Sequence, residues 1–263
     1  MALESTVPAL PGALESLLLF ASGLVAGVVN SVAGAGSMIT LPALMIVGGL
    51  PAGAANATNR VAVLVQSLSA AESFRRSKVT GLRAGAVLAV PAAVGSLGGA
   101  WLATILSDDV LRRVMGVVFL AMLVPVLRPP RKPADERSRS SPGAGIRATT
   151  SMAVSFFVLG IYGGFIQVGI GILILAVFSS LGTSLLEGNQ VKVVTVAALT
   201  AVALAIFASQ GLVAWRLGLV VAAGSAIGGW LGAKLSVARG ERFIRAFVVV
   251  AAVASSLQLF GIV

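Results

Sequence analysis

The sequence predicts an all-α integral membrane protein made of two inverted repeats of about five apolar segments each, with short broken or re-entrant helices among them. Three observations predict it. The chain of 263 residues is 57% hydrophobic and only 11% charged, whereas an ordinary soluble domain carries about 25% charged residues. Its apolar residues fall in long runs, and a hydrocarbon core about 30 Å thick takes roughly 20 helical residues to cross. The second half of the chain repeats the pattern of the first. Only helices and closed barrels satisfy every backbone group in lipid. These runs are too long and too continuously apolar for barrel strands, so the spans are helical and the expected location is the inner membrane, crossed several times.

Ten apolar segments are expected. In the first half they are 16–33, 37–50, 56–74, 82–106 and 110–127, and in the second half 149–167, 171–181, 190–208, 216–237 and 243–262. The second segment of each half is too short to cross comfortably. Arg128 to Arg147 is polar, proline-bearing and strongly basic, which marks a cytoplasmic linker by the positive-inside rule. The division is therefore a first repeat (1–127), a basic linker (128–147) and a second repeat (148–263). Met1 to Glu15 has two glutamates and no basic residue, so it lacks the positive n-region of a cleaved signal peptide.

Gly49 to about Val126 matches Gly182 to Leu259 at one offset, 182 − 49 = 133. Asn56 falls on Asn189, Phe74 on Phe207, Arg83 on Arg216, Gly95 on Gly228, Gly99 on Gly232 and Arg112 on Arg245. Upstream, Gly23 and Gly27 pair with Gly160 and Gly164 at 160 − 23 = 137. Charge points to inversion. Arg75, Arg76 and Lys78 follow the third segment, while the matching loop from Ala208 to Gly211 is uncharged. The acidic turn at Asp108 and Asp109 has a net basic counterpart at Arg239–Arg242. An odd number of segments per half gives the inversion, with both termini outside. Inverted repeats recur in secondary transporters.

The net charge of +10 sits mostly in short loops, so nucleic acid is not an expected partner. With no cysteine and no histidine, disulfides, thiol catalysis, His-ligated metal and histidine proton relays are excluded. No cofactor and no metal site is expected.

Two stretches carry the functional reading. From Gly27 to Pro42 the chain reads GVVNSVAGAGSMITLP. Gly34, Gly36, Ser31, Ser37 and Pro42 would interrupt a transmembrane helix, and Gly163 to Gly171 occupies the matching place. Irregular backbone at membrane depth survives only inside protein or beside a wet cavity. Paired interruptions in two halves point to a transport site, and a helix starting after one aims N–H donors at an anion. Tight packing of small residues is the alternative reading. The second stretch, Ala55-Asn-Ala-Thr-Asn-Arg60, is matched by Gly188-Asn-Gln-Val-Lys192. Arg60 and Lys192 are cations at the starts of apolar segments, where charge is costly and often functional; snorkelling to headgroups is the alternative.

These stretches resemble the TauE/SafE family of membrane transporters, described as exporters of sulfite and organosulfonates. The carriers are Gly27 to Pro42, Thr58-Asn59-Arg60 where the family shows Thr-Asn-Lys, Gly160 to Phe165, Gly169, Gly171, Lys192, Gly211 to Trp215 and Gly228 to Ala233. The resemblance covers nearly the whole chain outside the linker. Arg60 replaces a lysine, and Asn30 and Gln167 stand where many relatives carry small residues. The resemblance implies a secondary transporter exporting a small sulfur-containing oxyanion by alternating access. The expected binding residues are Asn30, Ser31, Gly34, Gly36, Ser37, Thr58, Asn59, Arg60, Gln167, Gly169, Gly171, Asn189 and Lys192. Arg60 and Lys192 are expected to approach one cavity from opposite halves and bond the oxyanion. The partners expected are a small anionic substrate and the lipid bilayer, and a homo-oligomer is left open. A passive anion channel could use the same donors. An intramembrane enzyme is disfavoured, since there is no His, Cys or paired in-membrane carboxylate for chemistry.

Other features read as structural. Gly95/Gly99 and Gly228/Gly232 are predicted helix-packing faces. Asp108–Arg112 and Glu241–Arg245 are predicted i,i+4 pairs, Trp101 and Trp215 interface anchors, and Glu187 a structural first-turn acid, with a proton-coupling group as its alternative reading.

Overall fold

The computed structural model describes residues 12–79, 81–127, 149–180 and 185–259. The linker at 128–147 and both chain ends lie outside them, and so do the side chains of the expected Glu241–Arg245 pair. Nine helices are described: α1 (Ala13–Val32), α2 (Ser37–Ile46), α3 (Ala52–Arg76), α4 (Leu82–Ile105), α5 (Asp108–Leu127), α6 (Thr150–Phe165), α7 (Ile170–Ser180), α8 (Leu185–Ser209) and α9 (Trp215–Leu259). Spans within α1, α4, α8 and α9 are long and apolar enough to cross a membrane. The chain is thus an all-helical, multi-pass membrane protein among the described residues.

Helix ends follow local chemistry. Thr149 accepts a hydrogen bond from Met152 N at 3.3 Å and opens α6, as an N-cap threonine does. Asp108 opens α5, accepts Gly53 N at 2.7 Å and pairs with Arg112 at 3.2 Å. One expected boundary is corrected. Segment 216–237 and the described part of 243–262, to Leu259, lie in a single helix, α9, of 45 residues. In the first repeat the chain breaks at Leu106, whose ψ of 145° is extended, and restarts on Ser107 and Asp108. The matching run Ala238-Arg-Gly-Glu-Arg242 has one glycine and neither a proline nor an N-capping Ser, Thr, Asp or Asn, so nothing in it stops a helix.

The repeat governs the remaining boundaries. α1 ends at Val32 and α6 at Phe165; α2 starts at Ser37 and α7 at Ile170; α3 spans Ala52–Arg76 and α8 Leu185–Ser209; α4 starts at Leu82 and α9 at Trp215. Every pair differs by 133. The same left-handed cap closes α3 and α8: Lys78 has φ 55° and Gly211 φ 68°. Val79 N donates to Phe74 O at 3.2 Å, and Leu212 N to Phe207 O at 3.1 Å.

The two sequence halves interlock. α9 packs on α1 and α3, and α4 on α6 and α8. Backbones touch at the predicted glycines. A Cβ on Gly95 would lie 2.1 Å from Phe157 O, and one on Gly228 2.1 Å from Leu24 O. On Gly99 it would meet Ile161 O at 1.9 Å, and on Gly232 Val28 O at 2.8 Å. Since 157 − 24 and 161 − 28 are both 133, the upstream offset of 137 is corrected to 133. Gly160 corresponds to Gly27, and Gly164 to Ser31. A small residue every fourth position makes glycine matching ambiguous by one helical turn, and the sequence alignment slipped by that turn. Trp101 and Trp215 are exposed on the outer surface, at 61% and 49%.

Candidate functional site

α1 and α6 both stop inside the molecule, and the breaks that follow them cross. Gly34 has φ +82° and Gly169 φ +66°, a region that glycine enters without strain. A Cβ on Gly34 would lie 2.3 Å from Gly171 Cα, and one on Gly171 2.3 Å from Gly34 Cα. No other residue fits either position without moving backbone.

A helix that ends in the interior leaves its last carbonyls without partners. Each end here is capped from the other repeat. Lys192 on α8 donates Nζ to Asn30 O at 2.8 Å and to Ser31 O at 3.0 Å at the end of α1. Arg60 on α3 donates to the carbonyls of Gly163, Gly164 (3.0 Å) and Phe165 (3.3 Å) at the end of α6. Asparagines complete the caps: Asn189 Nδ2 donates to Val32 O at 3.3 Å and Asn56 Nδ2 to Phe165 O at 2.9 Å. In the 133 register Asn30, Ser31 and Val32 correspond to Gly163, Gly164 and Phe165. The two caps are therefore equivalent, though Arg60 and Lys192 are not equivalent positions. Arg60 also donates to Asn56 Oδ1 at 3.1 Å and lies 5.3 Å from the Phe207 ring centroid. Both cations are at most 2% exposed, and no carboxylate is among these partners. Cations at helix C-termini are favoured by the dipole, which offsets part of the cost of burying them.

Beside the end of α1 lies a small cavity of about 10 Å³, room for roughly one water. Asn30, Gly36, Ser37, Thr40, Asn59, Gln66 and Ser225 supply its polar wall, and Ala26, Ala62 and Val63 its apolar one. The polar side chains hold one another. Asn30 Nδ2 donates to Gln66 Oε1 at 2.5 Å and Thr40 Oγ1 to Asn59 Oδ1 at 2.6 Å. Asn59 Nδ2 donates to Ser37 Oγ at 3.1 Å.

Of the expected binding residues, Asn30, Gly36, Ser37 and Asn59 share this cavity, and Gly34 and Gly171 form the crossing. Ser31 does not line the cavity but is bonded to Gln66, which does: it accepts from Gln66 Nε2 at 2.7 Å and donates to Gly229 O at 3.0 Å. Arg60, Asn189 and Lys192 are caps, and neither cation lines the cavity. Arg60 and Lys192, expected to converge on one cavity, each donate here to the carbonyls that end the opposite repeat's helix. Thr58 accepts Ala214 N at 3.0 Å and fixes the start of α9. Gln167 donates to Thr200 Oγ1, and Gly169 opens α7. The N–H groups expected to face an anion are largely engaged. Met38 N donates to Ala35 O at 3.0 Å, Ile39 N to Gly36 O at 2.9 Å and Ile172 N to Gly169 O at 2.9 Å. Sequence reasoning missed Thr40, Asn56 and Gln66. The recurrence of Asn56 at Asn189 was the signal for one of them, and Gln66 inside an otherwise apolar run was the signal for another.

The family described as "Sulfite exporter TauE/SafE" matches residues 19–259. Among curated relatives, "Probable membrane transporter protein ORF9" of Sinorhizobium sp. is 28% identical over 92% of this chain and 91% of its own. "Probable membrane transporter protein YfcA" of Escherichia coli K12 is 29% identical over 92% and 88%. A "Probable membrane transporter protein" of Haemophilus influenzae is 30% identical over 89% of each chain. No solved structure matches.

Proposed function

The chain belongs to the TauE/SafE sulfite exporter family, and on that premise we propose that it is a secondary transporter. Its cargo is a small sulfur-containing oxyanion, sulfite or an organosulfonate, exported across the inner membrane by alternating access. The observation that carries this reading is the pair of crossed helix breaks, each capped by a buried cation from the opposite repeat. Two positive charges without carboxylate partners, beside a polar cavity, give the interior a potential that favours an anion. The repeated boundaries at one offset and the charge asymmetry of matching loops support an inverted architecture, with the linker inside and both termini outside. Family membership supports the sulfur oxyanion as cargo.

The test is flux of sulfite, and separately of ethanesulfonate, in proteoliposomes. A transporter saturates and shows counterflow of labelled substrate against an unlabelled gradient. Current that rises linearly with driving force and shows no counterflow would establish a channel, and disappearance of the substrate an enzyme. Absence of any flux for both anions would remove the cargo assignment.

A further inference from the structure

Among the described residues, the polar wall of this cavity is not repeated in the second repeat. In the 133 register Ser37 becomes Ile170, Thr40 becomes Leu173 and Gln66 becomes Leu199. The corresponding space is filled: a Cβ on Gly163, the counterpart of Asn30, would lie 2.2 Å from Ile170 Cδ1 and 3.1 Å from Leu199 Cδ1. Ile170 and Leu199 belong there to an apolar cluster with Leu88 and Ala92. The backbone is duplicated and the polar wall is not. Retaining neutral donors in one copy is costly inside a membrane protein, and the caps that the fold needs are already supplied elsewhere.

We infer that the anion binds on one side only, in the first-repeat cavity, held by neutral donors of Asn30, Ser37, Thr40, Asn59 and Gln66 rather than by Arg60 or Lys192. This deepens the anion reading above and rests on it. The sign follows from the surroundings. Ser37 opens α2, so the positive end of that helix faces the cavity. Lys192 Nζ lies on the backbone carbonyl of Asn30, whose side chain lines the same cavity, and no acidic residue lines it. Asn30 Nδ2, Thr40 Oγ1, Asn59 Nδ2 and Gln66 Nε2 each donate now to a neighbouring side chain. An oxyanion head accepts from those donors in exchange. The cavity of about 10 Å³ is below the size of such a head. Entry therefore parts Thr40 from Asn59 and Asn30 from Gln66, separating the short helix α2 and the end of α1 from α3. The apolar wall of Ala26, Ala62 and Val63 faces the sulfur substituent, which admits a short alkyl group.

The experiment measures dissociation constants for sulfite and for ethanesulfonate on the purified full chain in detergent. Thr40→Val and Gln66→Leu each remove one donor, and Leu is the residue that the second repeat uses at the latter position. Each is expected to weaken binding by roughly three- to tenfold, with Thr40→Ser restoring wild-type affinity. Thr195→Ala, the counterpart of Ala62, is expected to stay within about twofold of wild type. Thermal unfolding without ligand identifies variants that fold, and Gln66→Leu against Thr195→Ala carries the comparison if Thr40→Val does not fold. Wild-type affinity in folded Thr40→Val and Gln66→Leu overturns the one-sided site while leaving the anion reading standing, as does a Thr195→Ala loss equal to theirs. No binding of either anion by the wild type overturns both.

Discussion

Arg60 is the sharpest point at which the structure changes what a substitution should do. A cation in contact with substrate would, when replaced by glutamine, cost affinity and little stability. In the structure its guanidinium caps α6. It reaches three carbonyls, at Gly163, Gly164 and Phe165, and Asn56 Oδ1 besides. Arg60→Gln leaves Phe165 O with Asn56 Nδ2, at 2.9 Å, but strands the carbonyls of Gly163 and Gly164. A buried acceptor left unpaired costs about 1–3 kcal/mol, so the pair costs about 2–6 kcal/mol. Loss of the contact with Phe207 adds about 1–2 kcal/mol. Against this, the variant no longer holds an ion away from water, a relief of several kcal/mol. A net destabilisation of about 2–4 kcal/mol remains, a large fraction of a stability of roughly 5–15 kcal/mol. Arg60→Lys keeps the charge but has no planar fork to span three carbonyls, and should recover about half of the loss. The assay is unfolding of the purified protein in detergent, with folded yield as a second readout. An Arg60→Gln protein that unfolds with wild type, at wild-type yield, would refute the capping argument.

Four further outcomes follow from the same geometry. Lys192→Gln should destabilise less than Arg60→Gln, because the ammonium reaches two carbonyls and no ring contact is lost; parallel unfolding curves check the order. Gly99→Leu should lower folded yield more than Gly232→Leu, since an added Cβ would lie 1.9 Å from Ile161 O in the first case and 2.8 Å from Val28 O in the second. Gly34→Ala should fail to fold, as positive φ and the Gly171 backbone both oppose a side chain there, and fluorescence-detected size exclusion reports it. Reporter fusions at Met1, Ser140 and Val263 should place Ser140 in the cytoplasm and both ends outside; a cytoplasmic Met1 would undo the inverted arrangement.

The fold was legible wherever local chemistry sets it. Hydropathy located nearly every helix, and the recurrence of Asn56 at Asn189 with Arg83 at Arg216 located the repeat. The join of the last two segments was not legible as one helix, because long apolar runs were divided by charge, and Arg239–Arg242 carries charge without a helix stop. The one-turn slip between Gly23 and Gly27 came from a period of four that sequence comparison cannot resolve and backbone contact can. For the site, the breaks and their cations were visible, but their pairing was not. Which carbonyls Arg60 and Lys192 reach depends on how two halves cross, and Thr40 and Gln66 matter only because α2 folds back over α3.

The crossing also decides what can move. Backbone contact at Gly95 and Gly99 joins α4 to α6, and contact at Gly228 and Gly232 joins α9 to α1. Each of these pairs takes one helix from either sequence half. Separating such a pair would cost many close contacts at once, whereas parting α2 from α3 beside the cavity breaks two hydrogen bonds between side chains. If the proposed transport proceeds by alternating access, these contacts favour swapped pairs and short helices as the moving units, rather than the first 127 residues rocking against the rest. The chain has no cysteine, so disulfide trapping can test this directly. A pair with one cysteine in α4 between 93 and 98 and one in α6 between 157 and 162, with Cα atoms within about 6 Å, should crosslink and leave sulfite flux near its reduced value. A crosslink between α2 and α3 should abolish flux reversibly. Loss of flux from the α4–α6 crosslink, restored by reductant, would mean that this interface opens during transport and that the two sequence halves move as bodies after all.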